Sequence, residues 1–189
     1  MVFNSYTFIV FFAVVLFLHN LPLSWTFKKI NLLLASYLFY AVWSPPFLLI
    51  LIFSTILDFI VGKYLHSETR LSRRRFLLTL SLLGNLGVLG YYKYGGFLME
   101  NFSLLMASLG MEYQPMNSDI ILPIGISFYT FQTLSYSLDM YKKAYHPEKS
   151  VLDFSLFVTF FPQLVAGPIV RPDELLPQFK VPHLSLIHI

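Results

Sequence analysis

Apolar runs close to bilayer thickness recur through most of the 189 residues, and the short segments between them hold most of the charge. In lipid such runs satisfy their backbone as helices. The pattern predicts an all-α, polytopic transmembrane helical protein of about six spans. Charged residues are 12% of the chain, against about 25% in soluble domains, which excludes a soluble domain carrying a single anchor. The net charge of +3 is distributed between spans, as orientation in a membrane requires, and gives no nucleic-acid footprint. Cysteine is absent, so disulfides, thiolate metal sites and thiol nucleophiles are excluded.

The spans are expected at Val2 to Leu18, Ile30 to Trp43, Phe47 to Tyr64, Phe76 to Tyr92, Ile121 to Tyr141, and from Val151 onward. No Lys or Arg precedes the first, so it reads as a retained helix rather than a signal peptide. Tyr37, Tyr40 and Trp43 read as interfacial anchors. Gly84, Gly87 and Gly90 recur every three residues and give a smooth stripe for helix packing. Gly95-Gly96 is expected to end span four. Residues 97–109 are too few to span, and Leu98, Met99, Phe102, Leu105, Met106 and Leu109 share one face, so a short amphipathic helix lying in the interface is expected there. Gly110 to Asp119 reads as a polar turn region. Asp58 reaches the interface or pairs with a nearby Lys or Arg on one reading, and lines a cavity on the other.

Loops 19–29, 63–75 and 141–150 are basic, whereas residues 93–120 set Lys93 against Glu100, Glu112 and Asp119. Strict alternation over six spans puts every basic loop on one side, read as cytoplasmic, and the N-terminus outside.

The most unusual stretch is Leu122 to Arg171. Gly125, Gln132, Ser135, Tyr136 and Asp139 fall within about a third of the helix circumference, a polar stripe on an apolar span. Pro162 and Gly167-Pro168 predict that the last span breaks between Phe161 and Pro168. Broken helices at membrane depth are tolerated where they are buried in protein or line a cavity. Gln132, Tyr136, Asp139, Gln163 and Arg171 are therefore candidates for lining a tunnel or its mouth, against a structural hydrogen-bonding role for each. There is no Walker, Rossmann, His-Glu-x-x-His or Gly-x-Ser-x-Gly motif, and no metal site is predicted. His19, His66 and His146 lie at span ends or in loops, and His183 and His188 lie in the last residues; none sits inside a span as a buried general base. The final stretch, 181–189, has no completed span, and the chain is expected to be truncated, with residues 1–180 native and the tail doubtful.

These residues together resemble the membrane-bound O-acyltransferase family, in its bacterial alginate O-acetyltransferase branch. The resemblance is carried by the apolar opening and residues 31–43 (NLLLASYLFYAVW), by residues 85–94 (NLGVLGYYKY), and most specifically by residues 122–132 (LPIGISFYTFQ) through Asp139 with residues 160–171 (FFPQLVAGPIVR). It covers residues 1 to about 180 and only the family's N-terminal portion, so it implies an incomplete core of that fold. It further implies a multi-pass protein of the bacterial inner membrane. Such a protein passes an acetyl group from a cytoplasmic thioester donor, acetyl-CoA, to an extracytoplasmic polysaccharide, with membrane lipid and a periplasmic acetyltransferase partner around it. No cofactor is expected to be resident. The family's essential histidine is expected beyond this chain, so no catalytic residue is carried over and the chain alone is expected to be inactive. D-alanyl transfer to teichoic acid, or a non-enzymatic transporter or scaffold, are the alternatives.

Overall fold

The structure, a computed structural model, describes residues 5–42, 45–111, 121–168 and 170–181. Trp43, residues 112–120 and the tail from residue 182 lie outside them, so the expectations placed there are not addressed. Among the described residues there are helices and no strand. They are α1 (Tyr6–Asn20), α2 (Trp25–Ala41), α3 (Pro45–Ser67), α4 (Leu71–Ser108), α5 (Ile126–Lys142), α6 (Val151–Thr159), α7 (Phe161–Ala166) and α8 (Pro172–Lys180).

Local chemistry sets the boundaries. Ser5 caps α1 by accepting from the Phe8 N–H at 3.2 Å, satisfying one of the orphan donors of a helix start. Pro45 opens α3, where its missing N–H costs nothing. Ser150 caps α6 through the Asp153 N–H. The α3 helix is long and apolar enough to cross a membrane; α1 and residues 151–164 are apolar but shorter. Leu49, Phe53, Ile56 and Ile60 form an exposed stripe along α3, while Leu51, Thr55, Asp58, Val61 and Leu65 face inward.

The helix expected to end at Gly95-Gly96 does not end there. α4 runs unbroken for 38 residues, roughly 57 Å at 1.5 Å per residue. A glycine pair costs about 2 kcal/mol in a helix interior but imposes no steric block of the kind proline does. Continuing a formed helix avoids a second, unfavourable nucleation. The amphipathic segment 97–109 is thus the far end of α4 rather than a separate helix. The glycine stripe is used at one position: a Cβ on Gly84 would meet Leu57 Cδ2 at 2.6 Å, whereas Gly87 and Gly90 have nothing within 4 Å.

The core forms where α3, α4 and α5 pack together and α6 closes against them. Leu51, Val61 and Leu65 of α3 meet Leu89 of α4, Ile126, Tyr129, Tyr136 and Met140 of α5, and Phe154, Leu156 and Phe157 of α6. Gly62 lets the Tyr136 ring lie directly on α3; a Cβ at Gly62 would collide with that ring. A second, smaller cluster joins Val15 and Phe39 to Phe161, with Phe8 and Phe11 packed against it.

The basic segments meet at one end, as alternation predicts for those loops. Lys29 pairs with Asp153 at 2.5 Å, and Glu148 pairs with Lys180 at 2.7 Å. Arg74 donates to the Tyr141 carbonyl, and its guanidinium lies over the Tyr141 ring. The His66 and His146 rings lie 5.2 Å apart. At the opposite end Tyr40 donates to the Ile124 carbonyl at 3.0 Å; Tyr40 is a buried tie and not an interfacial anchor.

The segment expected as the sixth span turns back on itself. It leaves the basic end at Asp153, breaks at Phe160, and reaches the level of Gly125, where a Cβ would lie 2.9 Å from the Leu164 carbonyl oxygen. The chain then returns as α8. Lys180 ends beside Glu148, and the Phe179 carbonyl accepts from the Trp25 indole at 2.7 Å. Residues 151–180 therefore double back, with both ends at the basic end of the helices. Leu176 and Phe179 bury one face of α8 against the core.

Candidate functional site

Three features carry chemistry. The first is the break itself. Proline inside a helix removes one backbone bond and clashes with the preceding turn. Here Pro162 lies in the first turn of α7 instead, and the interruption falls at Phe160. The Phe161 N–H is taken by Ser36 Oγ of α2 at 3.2 Å, while Ser36 donates to the Leu32 carbonyl at 2.8 Å. The Gln132 side-chain amide donates to the Phe157 carbonyl at 2.7 Å, and Gln163 donates to the Pro168 carbonyl at 3.3 Å. Gly125 sits at φ +74°, a conformation side chains resist, and its missing Cβ leaves room for the Leu164 carbonyl. Polar side chains from α2 and α5 thus hold a broken helix, as irregular backbone buried in apolar surroundings requires.

The second feature is a polar knot across α3, α4 and α5. Asp58 is fully buried. Its carboxylate accepts from the Ser81 hydroxyl, from Ser137 Oγ at 2.9 Å and from Asn85 Nδ2 at 2.6 Å. Ser81 and Ser137 lie 3.0 Å apart, and Thr133 reaches Asn85 Oδ1 at 3.4 Å. Asp58 reaches no interface and meets no cation among the described residues, so the ion-pair expectation is overturned. Removed from water, a carboxylate is held by converging donors instead.

The third is the basic end. Lys63, His66, Ser67, His146, Pro147, Glu148 and Lys149 line an open cleft of about 700 Å³. The carboxylate of Glu148 is buried and committed: it accepts from the backbone of Lys149 and Ser150 and pairs with Lys180. That pairing raises the Lys180 pKa above the ordinary lysine value. Glu68, in the α3–α4 connection, accepts from the backbone N–H groups of Arg70 and Thr69 and lies beside Arg73, which lowers its pKa.

Of the five tunnel candidates, Gln132 and Tyr136 are buried in the helix cluster. The Tyr136 hydroxyl accepts from the Glu148 N–H at 3.2 Å. Gln163 is buried at the break, Asp139 is half-buried near the basic end of α5, and Arg171 is exposed at the start of α8. The structure does not gather them at one point. The buried face of α5 is rotated from the expected stripe and carries Tyr129, Thr130, Gln132, Thr133, Tyr136, Ser137 and Met140. Sequence reasoning missed Ser36, Lys29–Asp153, the His66–His146 pair and the partners of Asp58. The last were detectable: Ser81 with Asn85, and Thr133 with Ser137, are spaced i,i+4 and share a face.

No family model matches the chain, and no solved structure matches it. Curated proteins do. The probable alginate O-acetylase AlgI of Pseudomonas aeruginosa is 39% identical over 184 residues, covering 95% of this chain and 35% of that protein. The chain is a relative of the AlgI-type O-acetylases. The AlgI of Azotobacter vinelandii is 37% identical, covering 95% of this chain and 36% of that protein. The peptidoglycan O-acetyltransferase of Helicobacter pylori is 34% identical over 178 residues, covering 82% of this chain and 33% of that protein. The chain spans about a third of the length of these relatives. The resemblance read from residues 31–43, 85–94 and 122–171 is borne out.

Proposed function

We propose that this chain contributes to a membrane-bound O-acyltransferase that acetylates an extracytoplasmic polysaccharide. The observation that carries the reading is its 32–39% identity, over 82–95% of its residues, to proteins named for O-acetylation of two different glycan polymers. The exposed apolar stripe of α3 faces lipid on this reading, and the helices lie in the inner membrane of a bacterium. The basic end faces the cytoplasm, where positive loops are retained, and the start of α1 faces outward.

The donor is a cytoplasmic thioester, acetyl-CoA, and the acceptor is a polymer hydroxyl, reached through a periplasmic partner. A cytoplasmic donor and a polymer on the far side meet only through the protein. The re-entrant segment held by Ser36, Gln132 and Gly125 forms part of the wall of that path, with Gln163 and Arg171 toward its mouth and Asp139 nearer the basic end. Gln132 and Tyr136 support this wall from behind. General-base activation of the attacking hydroxyl is supplied outside the residues described.

Deleting the gene and measuring ester-linked acetate in exopolysaccharide and in peptidoglycan tests the reading. Loss of acetate from exopolysaccharide alone identifies an alginate-type acceptor, and loss from peptidoglycan alone identifies the other. Unchanged acetate in both polymers refutes the proposal.

A further inference from the structure

Gly84 of α4 is packed against Leu57, but Gly87 of the same repeat faces nothing within 4 Å. Gly87 belongs to a longer line. At 100° per residue, Leu80, Gly87, Tyr91, Leu98, Leu105 and Leu109 fall within about 40° of one another on α4 and its C-cap. All six are exposed. Successive members are seven or four residues apart, the spacing of a seam between paired helices. The charged residues between Gly87 and Leu109 are Lys93 and Glu100, and both lie on the opposite side of the helix. Beyond Tyr92, α4 adds no side chain to either hydrophobic cluster among the described residues. The helix is also long: its 38 residues reach roughly 57 Å, whereas a bilayer with its headgroups is about 40–45 Å thick. Counted from Arg73 and Arg75 at its start, α4 carries Leu105 and Leu109 past the outer headgroups, where lipid does not cover them.

We propose that this line pairs α4, in parallel, with α4 of a second copy of the chain. Gly87 lets a neighbouring helix approach closely inside the bilayer. Leu98, Leu105 and Leu109 extend the same contact beyond it. The occupant must therefore cross beside Gly87 and continue outward unbroken. α4 is itself such a helix, and the next longest among the described residues has 23 residues. Loop charge gives both copies one orientation in a membrane, so the two α4 helices run parallel and like residues oppose each other. Leucine then meets leucine at Leu98 and at Leu105, one heptad apart. With Lys93 and Glu100 turned away from the seam, the pairing brings no like charges into contact. The inference rests on the membrane placement proposed above and not on acetyl transfer.

The test uses the full chain, which has no cysteine of its own, at low expression in bacterial membranes. Single substitutions L98C and L105C place a thiol on the seam, and E100C places one on the opposite side of α4. Copper-phenanthroline oxidation in the membrane is followed by non-reducing electrophoresis and mass spectrometry of the products. In G87L/L105C the close approach is blocked; a Cβ at Gly87 meets nothing within its own chain, and equal melting temperatures of G87L and wild type verify the fold. Disulfide-linked dimer is expected at both L98C and L105C, at least tenfold above E100C, and at least tenfold weaker in G87L/L105C than in L105C. Dimer at neither or only one seam position, an equal yield at E100C, linkage to a different protein, or a yield that G87L leaves unchanged overturns the pairing. Carbonate extraction reads the membrane placement separately. Chain released by carbonate refutes the placement and the pairing together, whereas unpaired chain retained in the membrane refutes the pairing alone.

Discussion

Replacing Asp58 with alanine tests whether the knot across α3, α4 and α5 stabilises the fold. Three donors converge on that carboxylate, and they do not all lose their partners. Asn85 Nδ2 keeps its bond to the Ser81 carbonyl at 3.0 Å. The Ser81 hydroxyl turns to Ser137 Oγ, 3.0 Å away. One hydroxyl hydrogen and the second Asn85 amide hydrogen are left without an acceptor in a fully buried place. Each orphaned buried donor costs about 1–3 kcal/mol. For a chain of this size each corresponds to a melting temperature lower by about 2–12 °C. Asp58→Asn keeps one oxygen for the two serines and sets its amide against that of Asn85, so it is the milder change. The triple variant Asp58→Ala/Ser81→Ala/Ser137→Ala removes the stranded hydroxyls and is expected to be no less stable than Asp58→Ala alone. Thermal unfolding of the purified chain in detergent, followed by far-UV circular dichroism, measures all three. An unchanged melting temperature in Asp58→Ala, or a triple variant well below the single one, refutes the reasoning.

Two further outcomes are expected. The Lys29–Asp153 pair is buried at 2.5 Å, so Asp153→Asn or Lys29→Met, each stranding one charge, is expected to destabilise by about 3–5 kcal/mol; the double variant is expected to recover part of the loss in chemical unfolding. The Lys180 pKa is raised by its bond to Glu148, so the stability this adds is complete below the ordinary lysine value of 10.5 and is lost as pH rises through the higher folded value. Because the Trp25 indole donates to the Phe179 carbonyl, release of α8 at alkaline pH is expected to red-shift tryptophan emission, and Lys180→Met is expected to shift it at neutral pH. Emission that ignores both changes would mean that α8 docks without the ion pair.

The candidate site was legible in part. The prolines at 162 and 168 announced a broken helix because ring closure removes a donor wherever it occurs. The side chain that rescues the break, Ser36, lies 125 positions away from Phe161, and nothing local to either residue indicates the other. The same holds for Lys29, which reads as a loop charge in sequence and is a buried ion pair in the fold. The α5 stripe shares only Gln132 and Tyr136 with the buried face because spacing gives relative angles only; which sector turns inward depends on α3, α4 and α6.

By itself the sequence determined the helical class, the gathering of the basic loops at one end, the existence of a break in the last apolar segment (expected between Phe161 and Pro168, found at Phe160) and the kinship with the O-acetylases. These follow from composition, periodicity and residue-specific backbone limits, which act over a few residues. Only the tertiary structure decided that α4 continues through Gly95-Gly96, that Asp58 is held by hydroxyls and an amide, and that residues 151–180 turn back to where they began. Each of these depends on partners distant in the chain or on cooperative propagation. A count of apolar residues cannot tell a segment that runs straight on from one that turns back, because both bury the same side chains; the Glu148–Lys180 and Trp25–Phe179 contacts distinguish them.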